Sequence, residues 1–237
     1  MTAPLLSVKN LKAYYGQAQI LFDLSLDVKP GEVVVLMGRN GAGKSTTMKS
    51  LVNLIDRKQG QIHFNGKDIS TASTYHIAQM GLGFVPEERR IFTDLTVLEN
   101  FEVGRLPARE GVTPWTPARL FELFPNLGEM PNRPGGHMSG GEQQMLTIAR
   151  TLMGNPSLVL VDEPSEGVAP VIVEKIAHAI QKLKAEGVSI LLSEQNITFA
   201  EWVGDRAYVL EKGAIRYEGS MKELIANREV RSAYLDF

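Results

Sequence analysis

Residues Gly38-Arg39-Asn40-Gly41-Ala42-Gly43-Lys44-Ser45-Thr46 stand directly behind the apolar run Val33 to Met37 and fit the phosphate-loop spacing G-x-x-x-x-G-K-[ST]. A polyphosphate needs several convergent backbone N–H donors, and side chains would hold the backbone away from it. Glycine at 38, 41 and 43 removes that obstacle. Lys44 is then expected to reach the β- and γ-phosphates and Ser45 to take one coordination position on Mg²⁺. A helix predicted over 46–55 turns its N-terminus to the anion. The bland alternative is a tight glycine turn between a strand and a helix.

Two further stretches carry chemistry. The apolar strand Leu158 to Val161 ends in Asp162-Glu163, and buried strands of open α/β sheets deliver functional groups at their C-terminal ends. Asp162 would hold the Mg²⁺ shell and Glu163 would polarise the attacking water. Taken alone, such a pair also suits a helix N-cap beside a surface charge. Met138-Ser139-Gly140-Gly141-Glu142-Gln143-Gln144 precedes a helical run through Leu152, and by itself reads as an N-cap.

The elements that must position these groups follow from pattern. Leu5 to Leu11 and Ile20 to Val28 alternate as two strands around a turn at Gly16. Gln61 to Phe64 followed by Asn65-Gly66 predicts a hairpin. From Leu95 to Arg133 the chain is punctuated by prolines at 107, 114, 117, 125 and 131, with Pro134 just beyond, and carries helical patterns from Thr96 towards Arg105 and from Pro117 to Phe124, with no strand signal. After Ser139 the order helix, strand, helix (Val171 to Ala185), strand (Val188 to Leu192), helix, strand implies parallel βαβ units. The expected fold class is α/β: a P-loop NTPase with a parallel core sheet, an N-terminal antiparallel β-subdomain and a helical subdomain. It forms one nucleotide-binding domain in which residues 1–87 and 155–237 make the core and about 88–154 the helical part.

Composition excludes several classes. The 237 residues are 43% hydrophobic and 22% charged, and 25 basic against 27 acidic residues leave a net charge of −2, so nothing argues for nucleic acid. No run approaches a membrane span, and no signal or lipidation motif is read at the N-terminus. There is no cysteine, and His63, His76, His137 and His178 show no ligand spacing. A cytoplasmic protein is the simplest expectation.

Phosphate loop, helical insert, Ser139-Gly140-Gly141-Glu142 and the Asp162-Glu163 strand, in that order, resemble the ATP-binding cassette (ABC) ATPases over essentially the whole chain. Met138 and Glu142 replace the Leu and final Gln of the usual LSGGQ signature. The resemblance implies ATP and Mg²⁺ as ligands and hydrolysis in a dimer, where Ser139, Gly140, Gly141 and Glu142 of one chain close over the γ-phosphate held by Lys44 of the other. It implies that Tyr15 stacks on adenine, with neighbouring Tyr14 as the alternative platform. Glu87, in Phe84-Val85-Pro86-Glu87, falls at the Q-loop glutamine and can still bind the cation, or else belongs to a solvated turn with Glu88, Arg89 and Arg90. Gln195, in Leu191-Leu192-Ser193-Glu194-Gln195-Asn196, sits at the switch histidine, where an amide can donate to the γ-phosphate but cannot titrate. Ala169 stands where the D-loop usually has aspartate.

These departures occur together, with Ser165-Glu166-Gly167-Val168-Ala169-Pro170 and the ending Val230 to Leu235, and resemble the ATP-binding subunits of branched-chain amino acid importers, of LivF type. The similar urea-importer ATPase and a soluble single-cassette ATPase stand as alternatives. The implied partners are a second ATPase subunit (hetero- or homodimer), two membrane permeases and, indirectly, a periplasmic solute-binding protein, with the chain peripheral on the inner membrane face. Ile91, Phe92 and Trp115 in the insert either receive a permease helix or form the insert's own core.

Overall fold

The computed structural model describes residues 3–109 and 112–235. Strands β1 (Leu6–Tyr15), β2 (Ala18–Val28), β4 (Arg57–Phe64) and β5 (Lys67–Asp68) form an antiparallel sheet in the order β2-β1-β4-β5. A second sheet runs β10-β9-β3-β8-β7-β6, built from β3 (Val33–Met37), β6 (Leu82–Val85), β7 (Leu158–Asp162), β8 (Ser189–Glu194), β9 (Arg206–Glu211) and β10 (Ala214–Ser220). Its strands pair in parallel except at the β10 edge, where β9 and β10 make an antiparallel hairpin.

The helices are α1 (Lys44–Leu51), α2 (Thr74–Gln79), α3 (Val97–Gly104), α4 (Pro117–Leu123), α5 (Pro125–Gly128), α6 (Gly140–Leu152), α7 (Pro170–Ala185), α8 (Ile197–Val203), α9 (Met221–Ala226) and α10 (Arg228–Tyr234). Successive residues of a strand point to opposite faces, so the second sheet feeds two cores. Val33, Val35, Val159, Val161, Ile190 and Leu192 join one core with Phe101, Leu120, Phe124 and Leu127 of the helical part. Val34, Leu36, Leu158, Leu160 and Leu191 join the other with α1 and the antiparallel sheet. Burial on both faces is why β3 and β7 read as continuous apolar runs rather than alternations.

Several boundaries differ from the sequence expectations. The first helix runs over Lys44–Leu51 instead of 46–55, because left-handed Gly43 (φ 110°) starts it and left-handed Asn53 (φ 57°) bars its continuation. The hairpin strands reach Tyr15 and start at Ala18, and β4 begins at Arg57, its polar first half paired with β1. Strand β9 is the last strand of the expected alternation, whereas helix α2, strand β6 and the edge strand β10 have no counterpart in the expectations. Thr96 does cap α3, closing a reciprocal pair with Glu99. Trp115 is core: 5% exposed, its backbone N–H donating to Asn155 Oδ1 and the Arg119 guanidinium laid over its ring at 4.2 Å. Phe92 is 46% exposed and Ile91 is partly buried against the core.

Candidate nucleotide site

The loop 38–43 leaves β3 and enters α1, so its position is set by the middle of the second sheet. Glycine is required at two of its positions. A Cβ on Gly38 would lie 2.5 Å from the Leu210 carbonyl oxygen, and one on Gly43 would meet Leu21 Cδ2 at 2.9 Å from a left-handed backbone. Lys44 is 3% exposed; its Nζ donates to the Gly38 and Arg39 carbonyls (2.8 and 3.1 Å) and pairs with Glu163 Oε1 at 3.0 Å. Thr46 is buried behind it, and Ala42 is 6% exposed.

Strand β7 runs beside β8, which itself lies beside β3, and this order brings the carboxylates to the loop. Asp162 Oδ1 accepts from Ser45 Oγ at 3.2 Å and from Ser193 Oγ at 2.5 Å. Burial pushes the Asp162 carboxyl up, against these two hydrogen bonds. Glu163 takes a left-handed backbone (φ 44°), held by bonds from its N–H to Ser193 O and Oγ, both 3.1 Å. Burial opposes ionisation of its carboxyl, but hydrogen bonds from Glu166, Lys44 and Gln195 and the Lys44 charge outweigh it and hold the group below the usual range. It is therefore an ionised acceptor. Glu166 carries the opposite shift, to about 7, chiefly from its hydrogen bond to Glu163.

Gln195 comes from the end of β8. Its Nε2 donates to Glu163 Oε2 (2.7 Å) and to Asn40 Oδ1 (2.8 Å), joining the switch position to both the base and the loop. Asn40, Gly41, Gly43, Lys44, Ser45, Thr46, Glu87 and Glu163 line one cavity of 360 Å³. Within it the Glu87 carboxyl is pushed up by burial and by repulsion from Glu163, Asp162 and Glu88.

Tyr15 does not line that cavity. It borders a neighbouring one of 430 Å³ with Lys49, Phe84 and Pro86, and is 44% exposed. Between the two tyrosines it is the one with an open ring, because Arg57 covers Tyr14 at 4.4 Å. Ser139, Gly140, Gly141 and Glu142 lie apart from the loop at the start of α6 and line none of the cavity around Lys44. There Ser139 N–H donates to Glu142 Oε2 (2.7 Å), and Ser139 Oγ accepts from the Glu142 N–H at 3.4 Å, so the Glu142 carboxylate is committed to its own helix. Ser193, Glu194 and Glu166 are site residues that the sequence reading passed over. A hydroxyl and a carboxylate closing an otherwise apolar strand are the signal that could have drawn attention to the first two.

This arrangement can cradle a polyphosphate, hold a water against Glu163 and donate to it from Gln195. A family model described as "ABC transporter" matches residues 21–166. The high-affinity branched-chain amino acid transport ATP-binding protein BraG of Pseudomonas aeruginosa is 42% identical over 231 residues, covering 98% of this chain and 99% of that protein. The lipopolysaccharide export system ATP-binding protein LptB of Haemophilus influenzae is 36% identical over 235 residues, covering 98% and 97%. A solved nucleotide-free ATP-binding cassette from an ABC transporter superposes with a TM-score of 0.82 at 27% identity, covering 96% of this chain and 97% of that one. On this breadth of match the chain belongs to the ABC transporter ATP-binding proteins, and is an ATPase.

Proposed function

We propose that the chain is the ATP-hydrolysing subunit of an importer for branched-chain or other hydrophobic amino acids. It works as a dimer with a second ATPase subunit on two membrane permeases, served by a periplasmic solute-binding protein. Among the described residues no helix is long and apolar enough to cross a membrane, so its seat on the inner face comes through the permeases. The observation that carries the transport reading is a 330 Å³ groove where the helices between β6 and β7 meet the sheet. Leu54, Phe92 and Val103 on its rim are 46–54% exposed, and Arg150 lies beside them with Nη1 buried and unbonded. The Arg150 guanidinium lies over the Phe92 ring at 5.1 Å, and the apolar rim together with its unbonded Nη1 suits a short amphipathic permease helix that carries an acid.

The split site supports the dimer. The groups around Lys44 leave the γ-phosphate side without the signature, and Ser139 to Glu142 of a second chain would close it through the N-terminus of α6. Lys44 exchanges Glu163 for phosphate oxygens as the nucleotide enters, which frees the Glu163 carboxylate to take a proton from the attacking water. Ser45, Asp162 and Glu87 supply only oxygen donors, which suit Mg²⁺; bound there it would neutralise charge on the β- and γ-phosphates. Glu87 would also serve as the joint between the site and the helical part at 88–154. Tyr15 would hold the adenine.

The test is isolation with native partners: integral permeases and a solute-binding protein should accompany the chain, and recovery of soluble proteins alone would sink the transport reading. The likeness to LptB favours lipopolysaccharide export as the second reading. Loss of leucine uptake on deletion, with the outer membrane intact, separates the two.

A further inference from the structure

Glu194 ends β8, is 2% exposed, and does not line the cavity around Lys44. A buried carboxylate is costly unless its lone pairs are answered, and here three backbone N–H groups answer them. Oε2 accepts from Gln195 N and Asn196 N, both at 3.0 Å, which fixes the turn into α8. Oε1 accepts from Ser165 N at 3.1 Å, reaching across to the loop that follows Glu163. Burial still pushes the carboxyl up, against these bonds.

The contacts close a circuit. Glu163 runs through Pro164 to Ser165, Ser165 donates to Glu194, Glu194 is bonded to Gln195, and the Gln195 amide returns to Glu163 Oε2 at 2.7 Å. The distance between the switch amide and the base is therefore set from behind by one buried side chain. We infer that Glu194 is a positioning residue that ties the loop 165–169 to Gln195, so that a displacement of this loop moves the amide relative to the base. This role rests on the catalytic reading of Glu163 and Gln195 proposed above.

The test is a double-mutant cycle on the purified full chain with MgATP as the probe. Glu194→Gln keeps the shape but turns an amide N–H₂ towards an N–H donor, and should lower kcat about tenfold or more with KM for ATP within about twofold. Glu194→Asp, which keeps the charge one methylene short, should recover part of kcat, and serves alone if the Gln variant does not fold. Glu194→Gln combined with Gln195→Ala should be no slower than the slower single variant. A merely structural prop would lower the thermal midpoint and multiply with Gln195→Ala. Multiplying losses, an unchanged kcat, or a KM rising in step with the loss of kcat each overturn the assignment. Wild-type rate per chain is followed against protein concentration in the same assay. A rate independent of concentration sinks the two-chain site, whereas the cycle reads the Glu194–Gln195 linkage within one chain in either case.

Discussion

The amide of Gln195 donates to the Glu163 carboxylate across 2.7 Å, and the same nitrogen donates to Asn40 Oδ1 of the phosphate loop at 2.8 Å. A neutral donor thus stands where a titratable imidazole would do the same work. Gln195→Ala removes the link between base and loop and should slow turnover about 10²- to 10³-fold, by comparison with the loss of one preorganised donor elsewhere. Gln195→His should restore much of the rate and add a pH dependence near the imidazole pKa of about 6.5 that the glutamine cannot have. Steady-state ATPase measured across pH checks both; unchanged turnover in the alanine variant would demote Gln195 to a structural tie.

Glu163 and Lys44 form a pair whose side chains are 6% and 3% exposed. In Glu163→Gln, Lys44 keeps the Gly38 and Arg39 carbonyls, so the cradle persists while the proton acceptor is lost. Turnover should fall by about 10²–10⁴, the usual worth of a general base. ATP binding should survive, and an ATP-bound dimer should accumulate on size exclusion. Rapid hydrolysis by this variant would refute the role of Glu163.

Legibility in the sequence divides along locality. The phosphate loop was readable because Gly38 to Thr46 are consecutive and their spacing alone dictates a cradle. Asp162-Glu163 was readable because both close one buried strand. Ser193 and Glu194 were not, because nothing local says that β8 lies between the loop's strand and the carboxylates' strand. That order, β3-β8-β7, is a property of the whole sheet. Trp115 was ambiguous for the same reason: its burial depends on Arg119 lying over it and on Asn155, forty residues on, taking its backbone N–H. Capping, by contrast, is local, and Thr96 was read correctly.

The Glu166 carboxyl, raised to about 7 from an ordinary 4.5, makes a pH prediction with a definite sign. Between these values the folded chain holds a proton that the unfolded chain has released. Its contribution to stability is therefore full below about pH 4.5, falls as pH rises, and is gone above about pH 7. Glu166→Gln abolishes this dependence, so its thermal midpoint relative to wild type should rise from pH 5 to pH 8. The side chain is exposed, which limits the effect to a few degrees. Wild-type turnover should also rise through about pH 7, because the proton that Glu166 shares with Glu163 is what weakens the base. Parallel melting curves for the two proteins at every pH would count against the shared proton.

Gly213, in the turn between β9 and β10, is what holds the end of the phosphate loop. Its N–H donates to the Ala42 carbonyl and its carbonyl accepts from Phe22 N–H, both at 2.8 Å, so one residue stitches the loop to β2. The backbone is left-handed (φ 77°), and a Cβ there would fall 1.8 Å from the Ile20 carbonyl oxygen, a backbone atom that cannot swing aside. Gly213→Ala should destabilise the chain by about 2–4 kcal/mol, combining backbone strain with overpacking, and should raise KM for ATP because Ala42 loses its anchor. Gly187→Ala is the control: also left-handed (φ 84°), but with nothing within 4 Å of its Cβ, it should lose only about 1 kcal/mol and leave KM alone. Urea denaturation with ATP titration measures both variants. Equal losses at the two glycines would mean that backbone conformation alone, and not the close approach to β2, makes Gly213 necessary.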